Sequence, residues 1–356
     1  MGDDHNSRPR RRAPTIDDVA ARAGVSKSAV SFALNDRPGI AEDTRARILS
    51  AAAALGWQPS TRARALSQSR AYALGLVLTR DPALLGTDPF FPAFIAGVET
   101  ELSALEQALV LQVVGDDPSS ESGRYERLAK SGRVDGVFLT DLRFDDPRVE
   151  LCLELGLPAV TIGRPEQPSP FPAVCLDDRA GVADAVRHLA ELGHERIAHV
   201  AGRQSLVHGA RRRHAWASAM RELGLEPELL EVADFTAVEG AAATRALLDL
   251  GTPPTAIVYA NDVMAIAGLA VAQDLGLALP DQLSIVGYDD SELAAHVHPS
   301  LTSVRSDAVG WGRAATRVLL ESLDGPQTDV ELAPASLVVR ASTAGPADPP
   351  RNRKVP

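Results

Sequence analysis

Thr15-Ile16-Asp17-Asp18-Val19-Ala20-Ala21-Arg22-Ala23-Gly24-Val25-Ser26-Lys27-Ser28-Ala29-Val30-Ser31-Phe32-Ala33-Leu34-Asn35 is the stretch on which the chain turns. Thr15 followed three residues later by Asp18 is an N-capping pattern. It opens a helix with Ile16, Val19, Ala20 and Ala23 on one face. Gly24 supplies a turn, because glycine takes positive φ at little steric cost. Ser26 caps a second helix whose Val30 and Leu34, four apart, point back at the first. Lys27 with Ser31 and Ser28 with Phe32 form two further i,i+4 pairs on the outward side. Small polar groups, one cation and one exposed aromatic suit a helix laid in the major groove. An ordinary pair of surface helices is the plainer alternative.

The run continues through Arg37-Pro38-Gly39, Thr44-Arg45, Ile48, Leu55-Gly56-Trp57, Pro59 and Arg62-Ala63-Arg64-Ala65-Leu66. Taken together in one register, these residues resemble the lactose/galactose-repressor (LacI/GalR) family. The resemblance implies a three-helix head and a hinge helix that orders on operator DNA. It also implies DNA contacts from Thr15, Ser26, Lys27, Ser28, Ala29, Ser31, Phe32 and Asn35, and from Arg62, Ala63, Arg64 and Leu66 in the hinge. Leu66 would be the apolar wedge pushed into the minor groove, unstacking a base step for a few kcal/mol. Phe32 stands where relatives often carry Arg, and Ala29 where they carry Thr. Arg reads guanine through a bidentate pair, whereas Phe can only touch a thymine methyl or pack. Ala41 replaces a usual Ser cap, so Glu42 and Asp43 must serve the third helix through its dipole. Ser60 takes the place of a common hinge Asn and can still cap.

The 356 residues suffice for two or three domains. A net charge of −11 splits unevenly: residues 1–70 carry +5 and the remainder −16. A basic head on an acidic body is what phosphate contact by one end requires. Cys152 and Cys175 give neither a disulfide framework nor a metal spacing. The polar, Arg-rich N-terminus has no apolar h-region, and no run approaches the roughly 18 apolar residues of a membrane span. A soluble, cytoplasmic protein is expected.

Beyond Tyr72, short apolar runs alternate with helical patterns. Strands are expected at Ala73–Leu78, Leu109–Val114, Val134–Leu139, Ala159–Ile162, Arg196–Val200, Ala256–Tyr259 and Ser284–Val286. Helices are expected near Phe91–Gln107, Glu121–Lys130, Arg148–Leu155, Arg179–Leu192, Gly209–Leu223, Val238–Leu250, Asp262–Leu275 and Ala308–Leu323. The alternation means parallel sheets covered on both faces, and the length favours two lobes. The fold expected is an all-α helix-turn-helix head and hinge helix, followed by a two-lobed α/β sensor of doubly wound parallel sheets. Residues 1–13 read as a disordered basic tail, 14–58 as the head, 59–70 as the hinge helix and 71–343 as an effector-binding, dimerising body. The Pro-rich residues 344–356 read as a second disordered tail.

This body resembles the periplasmic-binding-protein-like sensor of the same family at Asp88-Pro89-Phe90-Phe91, Asp135-Gly136, Leu192-Gly193-His194-Glu195-Arg196-Ile197, Asn261-Asp262, Gly287-Tyr288-Asp289-Asp290 and Pro299-Ser300-Leu301-Thr302. The resemblance implies three crossings between lobes, expected near Ile162–Pro168, Ser291–Leu301 and Ser322–Thr328. The N-lobe would then span about 71–163 and 301–324, and the C-lobe about 168–291 and 328–343. Ligand belongs in the cleft outside the carboxyl ends of the strands. Candidate contacts are Asn261, Asp262 and Asp289 at strand ends, Arg212 four residues before Trp216, and Asp177 at the lobe junction. Phe90, Phe91 and Phe235 are placed to stack on a sugar face or a base. Helix capping by the carboxylates and core packing by the aromatics are the competing roles. Gly163 stands where many relatives carry Asp, so a polar contact present in some sugar sensors is missing; a sugar is the effector expected, with a nucleoside as the alternative.

No catalytic set is visible. The histidines are scattered, no metal set forms, and phosphate loops and nucleophile elbows are absent. The expectation is a DNA-binding regulator, most plainly a repressor, without cofactor or metal. It would act as a homodimer on double-stranded, pseudopalindromic operator DNA under a small-molecule effector. A solute-binding transport protein would share the body but needs an export signal and no head. A doubly wound enzyme would need a reactive constellation. The C-terminal sequence cannot form the leucine-rich helix of family tetramers, which favours a dimer.

Overall fold

The computed structural model describes residues 14–34, 38–57, 70–80, 86–115 and 118–346. Two compact units divide the chain, Met1–Arg70 and Ala71–Pro356.

In the first unit three helices pack together: α1 (Ile16–Ala23), α2 (Lys27–Leu34) and α3 (Glu42–Leu55). Asp18 closes the start of α1, its Oδ2 accepting from the Thr15 backbone N–H (2.7 Å) and hydroxyl (2.8 Å). Gly24 ends the helix at φ +68, where a side chain would be strained. Val19, Val30 and Ile48, one from each helix, are fully buried at the centre, with Ala33 beside them and Leu34 at the margin. Ala41 makes no side-chain cap, and Glu42 and Asp43 stand in the first turn of α3.

The second unit holds two six-stranded sheets. The strands are β1 (Ala73–Thr79), β2 (Ala108–Val114), β3 (Gly136–Leu139), β4 (Ala159–Ile162), β5 (Ala173–Cys175), β6 (Ile197–Ala201), β7 (Leu230–Val232), β8 (Ala256–Tyr259), β9 (Ser284–Asp289), β10 (Thr302–Arg305), β11 (Val330–Glu331) and β12 (Ser336–Val338). Their orders are β11-β5-β4-β3-β1-β2 and β12-β10-β9-β8-β6-β7. Every pairing is parallel except β10 with β12. Near-continuous burial along β1, β3, β4, β6 and β8 follows from helices on both faces. These helices are α4 (Phe90–Ala104), α5 (Pro118–Lys130), α6 (Pro147–Glu154), α7 (Asp178–Glu191), α8 (Val207–Glu222), α9 (Ala237–Leu248), α10 (Asp262–Asp274) and α11 (Ala308–Ser322). Helices α4 and α11 approach closely because Gly97 and Gly312 lack side chains; a Cβ at either would meet the other helix's backbone at 2.1 Å.

The crossings between lobes differ from the expected positions. β5 and β11 pair in the first sheet, so the chain first leaves that lobe after Cys175, not near Ile162–Pro168. β10 pairs with β9 in the second sheet, which moves the second crossing to the link between Arg305 and Ala308. The third lies between β11 and β12. The resemblance implied the earlier points, but strands of two to four residues, β5, β10 and β11, continue past them to complete the ladders. Ala344, expected in a disordered tail, is instead fixed. Its N–H donates to Ser284 Oγ (3.1 Å) and its carbonyl oxygen lies 2.8 Å from His194 Nε2.

Among the described residues no helix is long and apolar enough to cross a membrane, and no group of three or more His, Cys, Asp or Glu is placed to hold a metal ion. Cys152 and Cys175 are buried free thiols.

Candidate effector cleft and DNA-facing helix

Both sheets of the second unit present strand ends to one cleft with an empty volume of ≈ 800 Å³, part of it open to solvent. Arg80 follows β1, Thr140 and Asp141 follow β3, and Gly163 follows β4 on one wall. Asn261 follows β8 and Asp289 ends β9 on the other. Ligands of open α/β sheets bind at such carboxyl ends.

On the N-lobe wall, Arg80 is held between two carboxylates and an aromatic face. Its Nε donates to Asp141 (2.9 Å), it ion-pairs with Asp88, and its guanidinium lies 4.5 Å over the Phe91 ring. Burial alone would lower the Arg80 pKa, but Asp141 and Asp88 outweigh it and raise it. Burial likewise opposes ionisation of Asp141, yet Arg80 and then His208 hold its carboxyl below the usual range. Phe90 packs edge-on against Trp311 at 5.9 Å, and Trp311 Nε1 donates to the Val174 carbonyl (2.8 Å).

On the C-lobe wall, Arg212 in α8 donates to Asp178 (3.3 Å) and the Ala260 carbonyl (2.8 Å), and lies 3.5 Å over the Tyr288 ring. Asp178 is nonetheless raised, because burial outweighs Arg212. Asp289 is raised well above the usual carboxylate range, first by burial and then by Asp262 and Asp88 against the pull of Arg212. Asp289 and Phe235 both hold positive φ, +110° and +60°. Strained backbone of this kind persists where surrounding structure over-determines it. Asn261 fixes Phe235: its Nδ2 donates to the Phe235 carbonyl (2.9 Å) while its Oδ1 accepts from Met264 N–H (2.9 Å). His208 faces the Phe235 ring at 5.3 Å, and burial, with Arg212, pushes its imidazole down to about 4. It is therefore neutral at pH 7.

Of the residues singled out for the effector, Phe90, Arg212, Phe235, Asn261 and Asp289 line this cleft. Phe91, Asp177 and Asp262 do not. Phe91 points into the core beneath Arg80. Asp177 caps α7 through Arg179 N–H (3.1 Å) and pairs with the Arg179 side chain. Asp262 is fully buried, accepting from Ser291 N–H (2.7 Å) and Ser303 Oγ (2.6 Å), and burial lifts its pKa to about 6. The wall also includes Arg80, Asp88, Thr140, Asp141, Asp178 and His208, none of which the sequence reading proposed as an effector contact.

The lobes touch across the cleft. Val207 N–H donates to the Leu142 carbonyl (2.8 Å). Arg211 donates to the Arg164 carbonyl (2.9 Å) and to Glu166 (2.7 Å).

In the first unit, Ser26 Oγ accepts from Ala29 N–H (3.2 Å) and so caps α2. Lys27 pairs with Asp17 (2.6 Å) at the surface, and Ser28 and Phe32 are exposed, the latter by 40%. Ala29 and Ser31 are half-buried, as is Thr15. Asn35, Arg62, Ala63, Arg64 and Leu66 lie outside the described residues, as does the expected hinge helix.

A three-helix head with a capped, outward-facing second helix, on a chain that also carries a two-lobed parallel-sheet body with an inter-lobe cleft, defines a helix-turn-helix regulator with a small-molecule sensor. Residues 15–60 match the model of bacterial regulatory proteins of the lacI family, and residues 186–343 match a periplasmic binding protein-like domain. The chain is 35% identical over 331 residues to the HTH-type transcriptional regulator CelR of Thermobifida fusca, covering 90% of this chain and 95% of that one. A solved CelR–cellobiose complex superposes with a TM-score of 0.72 at 34% identity, over 93% of this chain and all of the other. A lac repressor dimer bound to operator and an anti-inducer superposes with a TM-score of 0.82 at 26% identity, over 94% of this chain and all of the other. This protein belongs to the LacI family of transcriptional regulators, and it is a regulator, not an enzyme.

Proposed function

We propose that this protein is an operator-binding repressor that acts as a homodimer and takes a neutral sugar in its inter-lobe cleft. The observation that carries the ligand class is the charge balance of the cleft wall. Arg80, Arg164, Arg211 and Arg212 stand against Asp88, Asp141, Asp178 and Asp289. A phosphorylated ligand would meet four carboxylates and no unmatched guanidinium, whereas hydroxyl groups can both donate to the carboxylates and accept from the guanidinium N–H groups. The Phe235 ring beside neutral His208 offers an apolar face to sugar C–H groups. On the DNA side, α2 offers Ser28, Lys27 and Phe32 to a major groove, and two heads would read two half-sites.

Effector works through lobe geometry. A ligand that binds one arrangement of the lobes more tightly shifts the dimer toward it, with a coupling of about 1–3 kcal/mol. The test is selection of binding sites from random duplexes with the full-length protein, followed by titration of the selected site with sugars, sugar phosphates and nucleosides. A pseudopalindromic site whose affinity changes with a neutral sugar supports the proposal. A nucleoside or a sugar phosphate acting in its place overturns the ligand class, and failure to select any site overturns the DNA claim.

A further inference from the structure

The turn that follows β3, residues 140–143, serves the cleft and the other lobe at once. Asp141 carries the carboxylate that holds Arg80. The Leu142 carbonyl accepts the Val207 N–H of the other lobe, beside the isolated antiparallel bridge of Arg143 with Leu206. Asp141 takes φ +49°, a left-handed conformation that a non-glycine residue keeps only where its surroundings over-determine it. One side chain does most of the holding. Arg148 Nη2 donates to two consecutive carbonyls, Thr140 (2.9 Å) and Asp141 (3.1 Å). The same guanidinium grips Asp146 through Nε (2.8 Å) and Nη2 (2.5 Å), and Asp146 Oδ2 in turn accepts from the Arg143 N–H (3.1 Å). Leu142 lies between these pinned positions, its carbonyl toward the other lobe.

We infer that Arg148 is the positioning residue of the joint between the lobes, acting through this turn to set the Leu142 carbonyl for Val207 and the Asp141 carboxylate for Arg80. This rests on the proposal that effector works through lobe geometry, and it names the residue that sets that geometry on the N-lobe side. Burial makes the arrangement demanding. The Arg148, Glu121 and Asp146 side chains are no more than 4% exposed. Arg148 Nη1 reaches one oxygen of Glu121 (3.3 Å) and Arg143 Nη2 the other (2.5 Å). Two carboxylates are thus matched by two guanidinium groups. The planar, five-donor guanidinium of Arg148 can serve these carboxylates and both carbonyls together. A lysine ammonium would supply the charge as a point with three donors, and could not span them. Substitution can therefore separate charge from positioning.

The experiment is amide hydrogen exchange of the full-length protein without ligand, read at single amides. Two variants are compared with the parent. Arg148→Lys keeps the cation. Removing Arg148 alone would strand buried carboxylates, so the second variant pairs Arg148→Met with Glu121→Gln, which leaves Arg143 beside Asp146 (3.9 Å). Val207 is the first residue of α8, where a helix offers its N–H no acceptor, so its protection reads the bond to Leu142. In both variants Val207 should exchange about tenfold faster or more, as a locally opened joint does. Val137 of β3 and His199 of β6 donate to Pro158 (2.9 Å) and Leu229 (2.9 Å) within their own lobes, and should keep their rates. Acceleration of Val137 together with Val207 in both variants would make Arg148 a stabiliser of the whole lobe. Unchanged protection of Val207 in a folded variant would place the support of the joint elsewhere. Either result overturns the inference, and because no ligand is present, either leaves the neutral-sugar proposal standing.

Discussion

The Phe235 ring lies against the backbone of Gly202, in space that a side chain would need: a Cβ on Gly202 would sit 1.9 Å from Phe235 Cζ. Glycine is therefore required for the ring's position and not for the fold, since the obstructing atom is the far end of a side chain. Gly202→Ala should leave the unfolding midpoint nearly unchanged while pushing the ring away from its seat over His208. Effector affinity should fall by about twofold to tenfold, the range of an aromatic contact worth about 0.5–1.5 kcal/mol. Phe235→Ala should weaken binding at least as much, and the double variant no more than Phe235→Ala alone. Additive losses measured by calorimetry would show that Gly202 acts by another route.

Asp289 carries a prediction in pH. Its native pKa is raised, so the folded chain holds that proton more tightly than the unfolded chain, whose carboxyl titrates near 3.8. Stability from this group is complete below about 3.8 and is lost as pH rises through the native value. Asp262, at about 6, works in the same direction. Asp289→Asn, a residue tolerant of positive φ, should raise the midpoint of the ligand-free protein near neutral and higher pH. The gain should shrink as the solution is acidified, and effector binding should be lost. A gain that is independent of pH in scanning calorimetry would contradict the account.

Val207 links the lobes by a single backbone N–H at the first position of α8. A helix does not need that N–H, and Leu206 at φ −92 and ψ 133 already has the conformation proline demands of its predecessor. Val207→Pro should delete the inter-lobe bond to Leu142 and spare the helix. A net bond is worth about 0.5–1.5 kcal/mol, so effector affinity should drop about twofold to tenfold. The radius of gyration by small-angle scattering should rise. An unchanged radius with unchanged affinity would mean the bond does not hold the lobes together.

What could be read in the sequence was local. The Thr15–Asp18 cap, the Gly24 turn and the Val30 face depend on spacings of three or four residues, and all are present in the structure. Apolar runs such as Ala256–Tyr259 became buried strands, and residues at or just past the ends of such strands, Asn261 and Asp289 among them, line the cleft. Choosing between neighbours was harder. Phe90 and Phe91 differ by one helical step, which sends one ring to the cleft and the other to the core. Asp177 caps α7 while Asp178 turns to Arg212. Arg80 and Asp141 are 61 residues apart, and only the pairing of β1 with β3 brings their strand ends side by side. No spacing rule reaches that far.

Phe32 is the residue on which base preference should turn. It is 40% exposed on α2, outside the Val19–Val30–Ile48 core, so Phe32→Ala should alter stability by no more than about 0.5 kcal/mol. Phenylalanine in a major groove can meet a thymine methyl but has no hydrogen bond to offer, whereas arginine pairs with guanine O6 and N7. Phe32→Arg should therefore move one symmetric position of the selected site toward guanine. The discrimination gained there should be about 1–3 kcal/mol, the range of a good bidentate contact. Phe32→Ala should flatten that position without creating a new preference. Parallel selections with the three proteins decide the matter. If all three return the same site, α2 does not read bases through Phe32, and the outward face assigned to this helix would have to be carried by Ser28 and Lys27 alone.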